Sequence, residues 1–359
     1  YLWRAKMPTT SLTVDNELLS ATSIEAAKEA RDLRHVVTPF LAEHVRVHGE
    51  GQPSKGSGHK WIGSFQTGNH SSPTKRQTGY EQMNLSFSGV LTPMVMTPAE
   101  VSYPIGISAV EEDLNGGDLQ TIEIASRRAK AVMSKAKRDF EKHILVGGVS
   151  QYEDFYSLNG TDEADGFLET AAPGSQDNVI GGFSKAQHSA LPGATNQFFD
   201  VASSFNSSGL TGIYRTIIKA KARALDDMNG LSIICSEKAL ENYKRTIQAN
   251  ERYMIMDNND TIDGANMNLL ISGVPAHVST HLGDYSPGSG NTRHSMVLLD
   301  LNAIYFCWSK VIRDGYFSMS DFANVGNGYN VRVAEILVRG QLWVESFASS
   351  AIIADAETF

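Results

Sequence analysis

The sequence is most informative at residues 118–148, which read DLQTIEIASRRAKAVMSKAKRDFEKHILVGG. Apolar side chains recur in it at intervals of three and four residues, the spacing that gathers them on one face of an α-helix. They are Ile122, Ala125, Ala129, Val132, Ala136, Phe140 and Ile144. Asp118 is placed to cap the first turn, and Gly147-Gly148 is placed to end the helix. The stretch therefore predicts a long amphipathic helix over 118–146, with Lys and Arg on its other faces. This basic run could bind nucleic acid, but a solvated or subunit-facing surface is favoured.

Upstream of this helix lies a Gly-rich segment, residues 49–90, with no acidic residue between Glu50 and Glu81. Two short runs in it, 61–65 and 85–90, carry large apolar residues two or four positions apart, which is strand spacing. The segment is therefore predicted to be a long two-stranded excursion. A lone hairpin is barely stable in water, so we expect this one to rest on another surface, that of a neighbouring subunit.

Downstream of the helix the pattern changes to alternating helices and strands. Helices are predicted over 211–229 and 237–252, on either side of a buried strand at 231–235. Strand-like runs follow at 269–278 and 296–308, and the chain closes with strands 330–339 and 341–348 around a break at Gly340. Because the long helix comes early and strands dominate late, the predicted fold class is mixed α+β.

Composition narrows the class of protein. The chain has 359 residues, 41% of them hydrophobic, and a net charge of −9, so it can bury a large core and is not built mainly to grip nucleic acid. Its two cysteines, Cys235 and Cys307, lie in apolar runs, which favours buried thiols and a reducing folding environment. No apolar run approaches the roughly 18 residues of a membrane span, so no membrane partner is expected. The first residue is Tyr1, so we expect a removed or missing upstream segment.

Signatures of catalysis are missing from the sequence. It has no Gly-x-Ser-x-Gly, no Gly-Lys dipeptide and no Cys-x-x-Cys, which argues against a serine hydrolase, a P-loop and a zinc ribbon. His44 and His48 have a metal-chelating spacing, but plain surface histidines are favoured. The run Glu111-Glu112-Asp113 could serve acid–base chemistry, but a solvated acidic turn is favoured. No catalytic residue, cofactor or metal is predicted.

The order of the pieces carries a family resemblance. FSGVLTP at 87–93 leads into VSYPIGIS at 101–108, with a Tyr-Pro turn, and EEDLNGGD at 111–118 opens the long helix. Residues 269–275 end in Gly-Val-Pro, and 331–347 form the closing strands. From about residue 30 onward the chain resembles the major capsid proteins of tailed bacteriophages, which have the Hong Kong 97-type capsid fold.

The resemblance implies an architecture of five segments. They are an N-terminal arm at 1–48, an extended loop at 49–90, a peripheral domain at 91–150 with the spine helix 118–146, an axial domain at 151–322, and return strands of the peripheral domain at 323–359.

The resemblance also implies a function. Such a chain self-assembles as pentamers and hexamers into an icosahedral shell that encloses double-stranded DNA without sequence-specific binding. It would belong to the virion capsid, assemble in the cytoplasm of the host bacterium, and have scaffold, portal and decoration proteins as further partners. The expected contacts between subunits are Lys55, Lys60, Trp61, Phe65, Lys75, Arg76, Leu85 and Phe87. In some relatives a Lys of the extended loop bonds covalently to an Asn of another subunit, for which Lys60 and Asn330 are the counterparts to test.

Two other functions stay open. The first is an encapsulin-type compartment with the same fold, although the long Gly-rich basic segment favours a phage shell because encapsulin counterparts are usually more compact. The second is an α/β enzyme with residues 211–308 as its core, which no catalytic constellation in the sequence supports.

Overall fold

The structure is a computed structural model of the chain. It describes residues 38–48, 60–68, 89–114, 124–158, 166–169, 179–191, 193–201, 207–224, 230–248, 269–283, 294–308, 317–326 and 329–354. Most of the predicted arm, up to residue 37, and residues 49–59 and 69–88 of the predicted extended loop lie outside this part of the chain.

Helices and strands both make up the described chain, which confirms the predicted α+β class. The helices are α1 (Pro39–His48), α2 (Ala109–Leu114), α3 (Ile124–Val146), α4 (Ser207–Lys221), α5 (Glu237–Gln248) and α6 (Thr280–Gly283), with a 3-10 turn at Ser150–Tyr152. The strands are β1 (Trp61–Gln66), β2 (Leu91–Met96), β3 (Ala99–Ser108), β4 (Val179–Ile180), β5 (Phe183–Ser184), β6 (Gln197–Asp200), β7 (Leu231–Cys235), β8 (Leu269–Ile271), β9 (Val274–Val278), β10 (His294–Asp300), β11 (Ile304–Trp308), β12 (Ser318–Met319), β13 (Ala323–Gly326), β14 (Tyr329–Val344) and β15 (Ala351–Ala354). Among the described helices, none combines the length and the apolar character needed to cross a bilayer.

The chain divides into two compact units. The smaller unit consists of Tyr1–Val36, Ser102–Lys137 and Phe317–Leu337, and the larger of Val37–Val101, Arg138–Tyr316 and Val338–Phe359. Strand β3, helix α3 and strand β14 contribute residues to both units. The five-segment division that the family resemblance implies stays a prediction.

A six-stranded sheet forms the centre of the larger unit. Its strand order is β6-β15-β10-β7-β9-β8, with β7 parallel to β9 and antiparallel to β10. The predicted strand at 231–235 is confirmed as β7, and every residue in it is buried. Helices α4 and α5 join the same apolar cluster through side chains such as Ile217 and Leu240. Each fully buried side chain of this kind contributes about 1.5–3 kcal/mol to stability, so this cluster is a main source of the unit's folding energy.

Residues 296–308, predicted as one strand-like run, form two strands. Strands β10 and β11 are separated by a turn at Leu301, Asn302 and Ala303. The Asp300 side chain accepts a hydrogen bond from the Asn302 N–H at 3.2 Å, and its backbone carbonyl accepts one from Ala303 at 3.0 Å. An aspartate that bonds to the backbone two residues ahead is a turn former. Because apolar residues flank Asp300 on both sides, the apolar pattern of the sequence did not indicate this turn.

The predicted break at Gly340 was wrong, because β14 continues through it to Val344. Gly340 pairs with Trp308 in the ladder between β14 and β11. A Cβ atom at this position would lie 2.6 Å from the Cys307 carbonyl oxygen and 2.6 Å from the Phe306 ring. The glycine therefore allows a close approach of two strands rather than a turn.

The expected Tyr-Pro turn at 103–104 was also wrong, because both residues lie inside β3. In the smaller unit this strand alternates buried Tyr103, Ile105 and Ile107 with exposed Ser102, Pro104 and Gly106. Strand β3 pairs with β14, and the Ser102 hydroxyl donates to the Glu335 carboxylate at 2.7 Å. Proline is tolerated in a strand where no ladder bond needs its missing N–H, so the alternating pattern outweighs the turn signal.

The long helix is confirmed over Ile124–Val146, and its predicted start at Asp118 lies outside the described residues. It ends as predicted: Gly147 adopts a φ of 77°, and its N–H donates to the His143 carbonyl at 2.7 Å. Near the start of α3, Arg128 donates to both carboxylate oxygens of Glu111, at 2.8 and 3.0 Å. Glu111 is buried, so the expectation of a solvated acidic turn was wrong for this residue. The Arg128 hydrogen bonds lower the pKa of Glu111.

Candidate assembly surfaces

Strands β1 and β2 form a two-stranded antiparallel ribbon with two distinct faces. Trp61 lies opposite Met96, and Phe65 lies opposite Thr92. On the inner face, Trp61, Met94 and Met96 are buried against the rest of the chain. Because side chains alternate along a strand, the intervening residues must point the other way.

The inner face is held by two close backbone approaches. A Cβ atom at Gly63 would lie 2.1 Å from the Trp343 ring, so the indole packs directly on the β1 backbone. On the β2 side, the Val95 N–H donates to the Gly181 carbonyl at 2.8 Å. Gly181 has a φ of 54°, which favours glycine, and a Cβ there would lie 2.5 Å from the Val95 oxygen. The ribbon is therefore seated on its own chain at both strands.

Phe65 extends the inner face into an aromatic cluster. Its ring centroid lies 4.9 Å from that of Phe183 and 5.7 Å from that of Phe347. The ammonium of Lys185 lies 4.5 Å from the centroid of Phe347, on a side chain that is completely buried. Burial lowers the pKa of Lys185 to about 7, and the charge of Glu169 opposes this shift.

The opposite side of the ribbon is the outer hairpin face, which consists of Ile62, Ser64, Gln66, Leu91, Pro93 and Val95. Ile62 is 73% exposed and Leu91 is 65% exposed, the two highest values among the large exposed apolar side chains of the described residues. The pairing register places Ile62 across from Val95 and Gln66 across from Leu91. Scattered exposed apolar residues are ordinary, but two on one narrow ribbon beside Pro93 and Val95 form a candidate contact surface.

The predicted contact residues have different positions. Lys60 is exposed directly before β1, whereas Trp61 is buried and Phe65 is half-buried within its own chain. The others lie outside the described residues: Lys55, Lys75, Arg76, Leu85 and Phe87. Contact of these eight residues with a neighbouring subunit stays a prediction.

The strand that pairs with β1 differs from the predicted one. It is Leu91–Met96 rather than 85–90, because Thr67 donates to the Val90 carbonyl at 2.8 Å and the ladder runs on from there. Ile62 and Leu91 were not among the predicted contact residues. Alternation along β1 signals Ile62, since a buried Trp61 and an inward Phe65 leave Ile62 facing outward.

Helix α1, at the predicted junction of arm and loop, is fixed to the body of the larger unit by histidines. His44 and His48 each contact the Ile304 carbonyl oxygen through Nε2 at 3.0 Å, and the two ring centroids are 4.5 Å apart. Burial, together with the neighbouring His48, lowers the pKa of His44 to about 3. The expectation of plain surface histidines was therefore wrong. Within the described ranges no group of three or more metal-ligating side chains occurs.

Glu141 of α3 lies at the other end of α1. Its Oε2 accepts a hydrogen bond from the Leu41 N–H at 3.3 Å, in the first turn of α1. Its Oε1 is buried and has no hydrogen-bond partner. Burial raises the pKa of Glu141 to about 8, so the side chain is mainly protonated at neutral pH. Glu141 therefore holds α1 as a neutral carboxylic acid.

Solved structures of other proteins share the fold of this chain. No protein-family model and no curated protein matches the sequence. The capsid of cyanophage A-1(L) matches with a TM-score of 0.61 and 14% identity, over 95% of this chain and 99% of that one. The capsid of a native GTA particle matches with a TM-score of 0.57 and 11% identity, over 93% and 98%. The SrpI encapsulin of Synechococcus elongatus matches with a TM-score of 0.56 and 10% identity, over 95% and 96%. The chain therefore has the fold of the tailed-phage major capsid proteins.

Proposed function

We propose that this chain is a major capsid protein, a structural subunit rather than an enzyme. Copies of it assemble as pentamers and hexamers into an icosahedral shell around the double-stranded DNA of a tailed phage. The shell is the virion capsid, it assembles in the host bacterium, and scaffold, portal and decoration proteins are its further partners. The fold supports this proposal, because nearly the whole chain matches subunits of particle shells.

The observation that carries the proposal within this chain is the outer hairpin face. Ile62 and Leu91 are exposed although the opposite side of the same ribbon is firmly packed. In an isolated subunit these apolar side chains stay exposed to water, whereas a neighbouring copy can bury them. Each contact is small, but in a closed shell every subunit makes many contacts at once, and their combined strength is large.

Introducing negative charge on the outer hairpin face tests the proposal. Ile62→Asp combined with Leu91→Asp should abolish shells, because a carboxylate buried without a partner costs several kcal/mol at every contact. Sedimentation and electron microscopy measure the shell yield, and circular dichroism checks that the chain still folds. Ser150→Asp, at an exposed polar position, is the matched control and should assemble normally. Wild-type shell yield from the double variant would contradict the role of this face.

The predicted cationic contacts need a separate experiment. Replacing Lys55, Lys60, Lys75 and Arg76 with Ala should lower the shell yield, because acidic neighbours in a chain of net charge −9 lose their counter-charges. The helical circular dichroism signal should stay unchanged. An unaltered shell yield would remove these four residues from the proposal.

A protein-storing compartment of the encapsulin type is the second candidate function. The structural match to an encapsulin, with a TM-score of 0.56, is nearly as good as the matches to phage capsids. The two functions differ in what the particle contains. Particles purified from the native source and treated with nuclease should retain protected double-stranded DNA if the chain is a capsid protein. A protein cargo without DNA would favour the compartment.

A further inference from the structure

Helix α3 carries an unusual concentration of positive charge for this chain. Residues 124–138 contain Arg127, Arg128, Lys130, Lys135, Lys137 and Arg138 and no Asp or Glu, although the whole chain has a net charge of −9. Arg128 is engaged by Glu111 and by the Gly106 carbonyl. The remaining cationic side chains of the helix within the smaller unit are Arg127, Lys130, Lys135 and Lys137, here called the basic face of α3.

The basic face of α3 is open to solvent. Lys130, Lys135 and Lys137 are exposed and Arg127 is half-buried, whereas Ala136 is fully buried on the opposite side of the helix. At 3.6 residues per turn, Lys130 and Lys137 project in nearly the same direction, and they are separated by about 10 Å along the axis. That separation lets two lysines reach different phosphates of one duplex.

We propose that the basic face of α3 binds the phosphate backbone of double-stranded DNA without reading its sequence. The proposal rests on the proposed function, since a DNA-filled shell presents a polyanion to its subunits. Flexible lysines are suited to phosphates, and the face carries no Asn, Gln or aromatic side chain for reading base edges.

A protein partner fits this surface less well. The centres of protein interfaces are depleted in lysine and enriched in aromatic residues. Apart from Ala131, the exposed positions of α3 between residues 126 and 138 are lysines. Non-specific binding to DNA has dissociation constants of about 10⁻⁴ to 10⁻⁶ M at physiological salt, so one copy holds DNA weakly and the interaction becomes appreciable only when many copies act together.

Salt dependence of DNA binding tests the proposal. The variant K130Q/K137Q is compared with the wild type and with K219Q/K238Q, which removes two exposed lysines from α4 and α5. Fluorescence anisotropy of a labelled 30-base-pair duplex is measured with the unassembled full-length chain between 50 and 200 mM NaCl. Each phosphate contact adds about 0.9 to the slope of log affinity against log salt, so the variant's slope should be shallower by about 1.8. Over this range the wild type and the control should lose about 12-fold more affinity than K130Q/K137Q.

The other outcomes are equally informative. Equal slopes for K130Q/K137Q and the control, or no DNA binding by the wild type at 50 mM salt, would overturn the inference. Unchanged DNA binding with failed assembly of K130Q/K137Q would identify the face as a subunit contact, which also overturns it. If the DNA-binding test fails but the wild type still forms shells in electron micrographs, the proposed function stands. If the wild type forms no shells under any condition, that result counts against the proposed function instead.

Discussion

Glutamine in place of Glu141 should make the larger unit less sensitive to alkaline pH. The substituted amide would keep a carbonyl oxygen for the Leu41 N–H, which Glu141 now bonds at 3.3 Å, but it cannot ionise. In the unfolded chain this glutamate loses its proton at a pKa of 4.5, whereas burial raises the pKa in the folded chain to about 8. Between these pH values the folded state binds more protons, so stability falls as the pH rises.

The size of the effect follows from this difference in pKa. Between pH 6 and pH 8, the wild type should lose about 2 kcal/mol more unfolding free energy than Glu141→Gln. Urea unfolding of the full-length chain, followed by tryptophan fluorescence, measures this loss at both pH values. Glu153→Gln, at an exposed position, is the control and should behave like the wild type. Parallel pH dependence of the wild type and Glu141→Gln would refute the idea that a buried, protonated Glu141 holds α1.

Three further substitutions test other contacts. Between pH 6 and pH 4, His44→Gln should lose about 2 kcal/mol less unfolding free energy than the wild type. The His44 pKa of about 3 keeps the ring neutral in the folded wild type, whereas the ring protonates in the unfolded chain. Acid unfolding monitored by circular dichroism measures this difference. From pH 7 to pH 9, the wild type should gain about 2 kcal/mol of unfolding free energy, because Lys185 deprotonates at a pKa of about 7 in the folded chain and at a higher pKa in the unfolded chain. Lys185→Met should lack this gain in urea unfolding. Gly340→Ala should destabilise the chain by about 1–3 kcal/mol, because its Cβ would collide with the Cys307 carbonyl and the Phe306 ring; an unchanged thermal midpoint would contradict this.

Local signals in the sequence were sufficient for the elements that depend on local chemistry. The apolar periodicity and the Gly147-Gly148 stop predicted the body and the end of α3, and the buried run at 231–235 predicted β7. In both cases the pattern is set by neighbours within a few residues.

Features that depend on distant partners could not be predicted in this way. Gly63 accommodates the Trp343 ring and Gly340 accommodates the Phe306 ring, yet in the sequence each glycine indicates only a weak point in a strand. His44 and His48 bond to backbone carbonyls more than 250 positions away, and no spacing rule indicates such a partner. The pairing strand of β1 was misplaced because Pro93 lies within β2, where proline argues against a strand.

The ribbon of β1 and β2 is packed on one side against its own chain, so under the proposed function the docking of a neighbouring copy would require no refolding of these strands. The association rate of the two copies would then be set by diffusion and orientation. In a shell of the proposed kind, a strip only a few side chains wide would hold a single misplaced copy briefly, because one small contact without the others gives little binding strength. Such a shell would correct misplaced copies early and become long-lived only once it has closed.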